Sequence, residues 1–242
     1  MNNHTPYSSE WFKKQRLGAA TSAEVVVPLV INLVAPTSVA DIGCGVGVWL
    51  AAFAKHGIGS INGYDGIWIE KKDLQIPESS FHVVDFEKDF SISQKADLSV
   101  SLEVGEHLTH GASISLVKKL TAMAPVVLFS AAIPHQPGTN HINCQWPQYW
   151  TDLFKEREFV PVDCIRRKIW TNPNVEYWYA QNIFIFIKES ELWRYPKLQQ
   201  EIDAGNGEAL PLVHPRRYLS ALKPSLSFMF RLMRKIRSIV NK

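Results

Sequence analysis

Glu103, Glu106 and His107 stand together in the stretch Ser101–Gly111, SLEVGEHLTHG, directly behind an apolar run. Two carboxylates and an imidazole this close can ligate a divalent cation if the backbone bends there. They can equally cap a helix or sit in solvent along its first turn. Two further imidazoles, His135 and His141, follow in IPHQPGTNHINCQWPQYW. Glu103, Glu106, His107 and His141 form a chemically reasonable ligand set, in which imidazole suits manganese, iron, cobalt or zinc and oxygen suits magnesium. A cation held there would orient an aliphatic hydroxyl and lower its pKa, as metals do for water. His107, His141 or His135 could then accept the proton.

A second group of residues lies earlier in the chain. In VADIGCGVGVWLAAF an apolar run ends on Asp41 and is followed by Gly43, Gly45 and Gly47 before a helical pattern begins. Glycines let the backbone turn tightly and approach a ligand, and a helix N-terminus supplies N–H donors. Asp65 and Gly66 in INGYDG, and Asp85 and Phe86 in HVVDF, close two further apolar runs. An acid after the second strand suits the ribose of NAD as well as that of other nucleoside cofactors.

To hold these residues at one edge, the chain needs a parallel sheet. Short β-branched runs alternate with helical patterns, the rhythm of an α/β fold. Strands are expected at Ser38–Ile42, Ser60–Tyr64, Phe81–Val84, Asp97–Leu102, Val126–Ala131, Phe159–Arg166 and Ala180–Ile187. Helices are expected at Ala23–Val34, Val48–His56, Ser113–Met123 and Pro147–Glu156. The last two strands have no helix between them, which predicts an antiparallel hairpin at one edge. Their connection, KIWTNPNVEYWY, reads as a surface loop near the site. Glu103 then follows the fourth strand and His141 the fifth, and both emerge on the rim where open α/β sheets bind ligands.

The spacing Asp-x-Gly-x-Gly-x-Gly, with acids after the second and third strands, resembles class I S-adenosylmethionine-dependent methyltransferases over roughly residues 23–187. The resemblance implies a doubly wound, seven-stranded, mainly parallel Rossmann-like methyltransferase sheet. It implies that Gly43, Gly45 and Gly47, with Cys44, lie under the methionine part of S-adenosylmethionine. Asp41 would organise the loop near the cofactor's amino group, Asp65 with Gly66 would hold the ribose, and Asp85 with Phe86 would meet the adenine. Glu103 is ambiguous, since it could serve cofactor, metal or helix cap.

Glu-x-x-Glu-His with a later His is similar to metal-dependent O-methyltransferases, among them small-RNA 2′-O-methyltransferases and, in the first part, those of the ubiquinone pathway. The segment through His141, Asn143, Gln145, Trp146, Pro147, Tyr149 and Trp150 resembles bacterial methyltransferases of polysaccharide and lipopolysaccharide biosynthesis, with Cys144 where their pattern has glutamate. That resemblance implies a sugar hydroxyl of a glycan or its precursor as acceptor. Trp146, Trp150, Trp170 and Trp178, with Tyr149, Tyr177 and Tyr179, would either fill the core or supply a sugar platform. Rival readings are a metal-independent small-molecule methyltransferase with His107 or His141 as base, a non-catalytic S-adenosylmethionine-binding subunit, and NAD-dependent oxidoreduction.

The formal charge of +3 is unevenly spread. Residues 211–242 hold eight Lys/Arg and no Asp/Glu, which leaves residues 1–210 at −5. Positive charge confined to a tail argues against a nucleic-acid cleft. The tail, PSLSFMFRLMRKIRSIVNK, reads as a basic amphipathic helix suited to peripheral contact with an anionic membrane, to packing on its own domain or to a second subunit in a homo-oligomer. Three separated cysteines, Cys44, Cys144 and Cys164, suggest neither a disulfide framework nor a cysteine zinc site. With no apolar signal core, and with Val25–Ala35 too short to span a bilayer, the expected location is the cytoplasm. The expected organisation is an N-terminal helical segment (1–22), a methyltransferase domain (23–190) and a C-terminal extension (191–242).

Overall fold

A computed structural model describes residues 9–222 apart from 89, 91 and 93, with side chains from residue 17 onward. Seven strands form one sheet: β1 Ser38–Ile42, β2 Ser60–Asp65, β3 Phe81–Val83, β4 Leu98–Leu102, β5 Val126–Ser130, β6 Phe159–Val162 and β7 Phe184–Lys188. Their order is β3-β2-β1-β4-β5-β7-β6. Only β7 runs against its neighbours, pairing antiparallel with β5 and β6. The strand order therefore reverses between β1 and β4, which opens a crevice outside their carboxyl ends. The basic tail expected over residues 224–242, and the first eight residues of the expected N-terminal segment, lie outside the described residues.

Side chains alternate between the two sheet faces with the period of a strand. On β5 and β7, Val126, Leu128, Ile185 and Ile187 join one buried cluster with the helices α1 (Ser9–Val34), α2 (Val48–Lys55), α5 (Arg166–Ile169), α6 (Tyr177–Asn182) and α7 (Pro196–Glu201). Val127, Phe129, Phe184 and Phe186 face the other way, onto α3 (His110–Met123) and α4 (Pro147–Lys155). There Phe154 and Phe186 stack at 3.9 Å between ring centroids. Fully burying each such ring is worth about 1.5–3 kcal/mol. A separate unit begins at Val213, and its described part contains α8, Pro215–Leu222.

The elements depart from the sequence expectations in three places. First, α1 begins at Ser9 rather than Ala23 and carries Pro28 inside it. Its stretch Leu17–Val34 is long and apolar enough to cross a membrane by length and composition, with mean hydropathy 1.8. Ala23, Val26, Val27 and Val30 of that stretch are completely buried in the first cluster, as in a core helix. Second, β6 stops at Val162 and β7 starts at Phe184, both shorter than expected. Arg166 opens α5 instead of extending β6, because its guanidinium turns in to pair with Asp163, donating to that carboxylate over 2.8 and 2.5 Å. Third, the aromatic connection contributes α5 and α6 rather than a plain loop.

Candidate functional site

At the crevice, the β1–α2 turn is built around three left-handed glycines, Gly43 (φ 84°), Gly45 (φ 56°) and Gly47 (φ 86°). A Cβ on Gly43 would meet Val104 at 2.3 Å, and one on Gly47 would meet Ile76 at 2.8 Å. Gly45 differs, since a Cβ there would meet nothing within 4 Å. Two glycines are thus needed for packing, and the third faces open space where a ligand can approach the backbone. The thiol of Cys44 is buried and packs toward Gly63, so only its backbone belongs to the turn.

Asp65, at the end of β2, ties this turn down. Its two carboxylate oxygens accept N–H groups from Gly45 and Gly66, each at 2.6 Å. Asp41 and Asp65 are both buried. Burial raises the Asp41 carboxyl well above its usual range, and the charge of Asp65 adds to that. Burial likewise raises Asp65, against the pull of the Gly66 and Gly45 amides. Two buried acids beside open space suit a cationic, hydroxyl-bearing ligand. Asp85 lies two residues beyond β3, exposed, where its carboxylate pairs with Lys88 at 3.0 Å and caps the Glu87 amide. Phe86, half-buried, packs edge-on against Phe90.

The opposite lip of the crevice carries the Glu/His cluster. Glu103 leaves β4 with φ 55°, and a short 3-10 turn, Gly105–His107, carries the next two candidates. Glu106 accepts the amides of Ile142 and Asn143 at its backbone carbonyl, 2.9 and 3.0 Å away. Asn143 is buried and donates to Ser113 Oγ at 2.7 Å. That clamp draws the His141 segment, beyond β5, against the turn beyond β4. Among the described residues, ligand atoms of Glu106, His107 and His141 come within 4.8 Å of one another. The two imidazoles meet edge to face at 4.8 Å, and His141 Nε2 lies 4.0 Å from Glu106 Oε1.

Glu106 is completely buried, with the backbone of Ala132 and the carboxyl of Glu103 as its hydrogen-bond contacts. Burial pushes its carboxyl well above the ordinary range, and the neighbouring Glu103 carboxylate pushes it further. Burial also lowers both imidazoles, with His107 adding to the shift at His141. Backbone carbonyls of Asn140 and Thr139 face His107, and that of Gln136 faces His141. A carbonyl on one ring nitrogen fixes the tautomer and leaves the other nitrogen as a lone-pair donor, the usual preparation of a metal-ligating histidine. Neutral imidazoles beside a fully buried carboxylate therefore fit a divalent cation.

Glu103 does not join that three-residue group. Its carboxylate accepts from Gln136 Nε2 at 2.9 Å and Asn182 Nδ2 at 3.0 Å. Gln181 completes the cage by donating to Gln136 Oε1 and Asn182 Oδ1, each at 2.9 Å. These three amides are buried, and the sequence reading missed them because isolated Gln and Asn carry no spacing signal. His135 is exposed in the β5–α4 loop with φ 65° and lies outside the candidate ligand group. Of the expected aromatic platform, Trp150 and Tyr179 are buried core residues, whereas Trp146 is 43% exposed.

No family model and no curated protein matches this chain. Solved structures do. The sugar N-methyltransferase KedS8 of Streptoalloteichus sp. ATCC 53650 is similar at TM-score 0.59 and 12% identity, over 78% of this chain and 95% of that one. The magnesium protoporphyrin IX methyltransferase of Synechocystis PCC 6803, with bound S-adenosylmethionine, gives 0.53 and 16%, over 76% and 86%. A candidate O-methyltransferase from Nostoc punctiforme PCC 73102 gives 0.50 and 17%, over 71% of this chain but only 57% of that one. The fold is the Rossmann-like fold of class I methyltransferases. Fold alone does not assign chemistry, which is argued from the site.

Proposed function

We propose that this protein is an S-adenosylmethionine-dependent O-methyltransferase that acts on a sugar hydroxyl with the help of a divalent cation. The observation that carries the reading is Glu106, a fully buried carboxylate whose ligand atom lies within 4.8 Å of those of two imidazoles, His107 and His141.

Gly45 offers its backbone to the cofactor, Asp65 its carboxylate to the ribose, and Asp41 its charge to the amino group. Glu106, His107 and His141 would hold the cation, which when bound supplies a Lewis acid for an acceptor hydroxyl. Glu103, held by the Gln136 and Asn182 amides, serves the cofactor side of the crevice instead of the cation. Holding acceptor and donor together accounts for much of the rate gain in a displacement of this kind. The sugar acceptor rests on the sequence resemblance, and the exposure of Ile142, next to His141 in the chain, and of Trp146, just before α4, supports it as a surface for a ring.

Manganese binding measured by electron paramagnetic resonance tests the cation. Wild type should bind at micromolar to low millimolar metal, and Glu106→Gln and His141→Ala should not. Equal binding by all three would sink the assignment. Methyl transfer from labelled S-adenosylmethionine to a panel of sugars, with and without chelator, tests the acceptor. Transfer that is indifferent to chelator would favour a metal-independent enzyme.

A further inference from the structure

Away from the crevice, one helix keeps its apolar side chains exposed. In α8, Pro215 supplies the fixed φ of a first helical position, and the buried His214 before it caps the turn. His214 Nδ1 accepts the Arg216 amide at 3.2 Å, and its carbonyl accepts those of Arg217 and Tyr218 at 2.9 and 3.0 Å. At about 3.6 residues per turn, Tyr218, Leu219 and Leu222 then share a face about 100° wide. No side chain of this helix is buried, and these three are 58%, 59% and 61% exposed. Arg216 and Arg217 stand outside that arc. Residues 223–242 add six Lys/Arg and no Asp/Glu, so cations alone surround and follow the apolar face.

The two properties together select the partner. A polyanion such as nucleic acid would pair the cations and leave Tyr218, Leu219 and Leu222 in water. A second copy joined face to face would set the eight cations of residues 211–242 against eight more. An anionic bilayer satisfies both, because its headgroups take the cations and its acyl boundary takes the apolar side chains. We infer that α8 is a docking helix that lies in the interfacial plane of an anionic lipid bilayer, with Tyr218, Leu219 and Leu222 inserted. This holds whatever reaction the crevice supports.

Co-flotation of the full chain with lipid vesicles tests the inference. Wild type should bind phosphatidylcholine vesicles containing about a quarter phosphatidylglycerol at least about tenfold more tightly than pure phosphatidylcholine, and high salt should narrow that difference. Leu219→Ser with Leu222→Ser should weaken binding about tenfold or more, since each side chain no longer gains by leaving water. Arg216→Gln with Arg217→Gln should weaken it about tenfold through lost attraction to the headgroups. Because α8 buries none of these side chains, both double variants should keep the wild-type unfolding midpoint, which separates docking from folding. Failure of wild type to bind the anionic vesicles overturns the inference, as does equal affinity for neutral ones. Binding left unchanged by Leu219→Ser with Leu222→Ser also overturns it and puts the contact elsewhere in the chain. If wild type instead forms a dimer that this variant abolishes, and ignores vesicles, a second copy occupies the face and the bilayer does not.

Discussion

The two lips of the crevice are prepared to different degrees. At the β1–β2 lip, the polar groups that shape the turn are paired within the chain, with both oxygens of Asp65 on backbone amides at 2.6 Å. At the β4–β5 lip, Asn143 and the amide cage of Glu103 are paired, but Glu106 is buried against a second carboxyl, that of Glu103. The first lip is a folded scaffold that receives a ligand as it stands. The second lip stores an electrostatic penalty that only a cation, or a proton, relieves. Mutations should accordingly destabilise the first lip and relieve the second.

The largest effect is expected at Gly43. Gly43→Ala puts a Cβ at positive φ and against Val104, and should lower stability by about 3 kcal/mol in urea unfolding. Gly45→Ala has the same handedness but open space around it, so its cost should be about 1 kcal/mol while cofactor affinity falls more than stability does. Equal destabilisation by the two would remove the distinction between a packing glycine and a ligand-facing one.

Next in size is Asp65→Asn. An amide has one acceptor oxygen, so one of the Gly45 and Gly66 N–H groups must lose its partner. The metal-free, cofactor-free chain should lose about 1–2 kcal/mol, read by thermal unfolding. Stability equal to wild type would mean that the turn stands without its tether.

Glu106→Gln should move the other way. The carboxyl's folded-state pKa lies above its unfolded value, so the native chain takes up a proton. The stability tied to Glu106 is full below the ordinary carboxylate range and is lost as pH rises through the raised folded value. The advantage of Glu106→Gln over wild type should therefore grow from pH 5 to pH 8, by at most about 1.4 kcal/mol per pH unit. Saturating manganese should cancel that advantage in wild type, and more fully at pH 8 than at pH 6, where protons compete for the carboxylate. A variant less stable than wild type across this range would show that Glu106 serves the fold.

Trp146→Ala should have the smallest thermodynamic effect. The side chain is 43% exposed, so the unfolding free energy should fall by under about 1 kcal/mol. The acceptor KM should nonetheless rise several-fold with manganese and cofactor affinity unchanged. An unchanged KM would place the acceptor elsewhere on the rim.

Much of this was legible along the chain. The glycine spacing, the acids Asp41 and Asp65, and the strand rhythm are local patterns, and the sheet realises them with the closing strands antiparallel as expected. The approach of His141 to Glu106 and His107 followed from the adjacency of β4 and β5. What was not legible depended on contacts distant in sequence. Glu103 leaves the ligand group because Gln136 and Asn182, 33 and 79 residues away, claim its carboxylate. Trp150 leaves the aromatic platform because Phe129 of β5 packs on it at 4.9 Å.

The sequence by itself determined which chemistry was available: a glycine turn with acids, and carboxylates with imidazoles after adjacent strands. Periodicity and residue type suffice for that, because strand ends in a parallel sheet are placed by chain order. Tertiary structure decided which of those groups are already paired and which are not. That Glu106 ends fully buried beside His107 and His141 depends on what the folded chain packs around it, and burial is settled by elements far apart in the sequence.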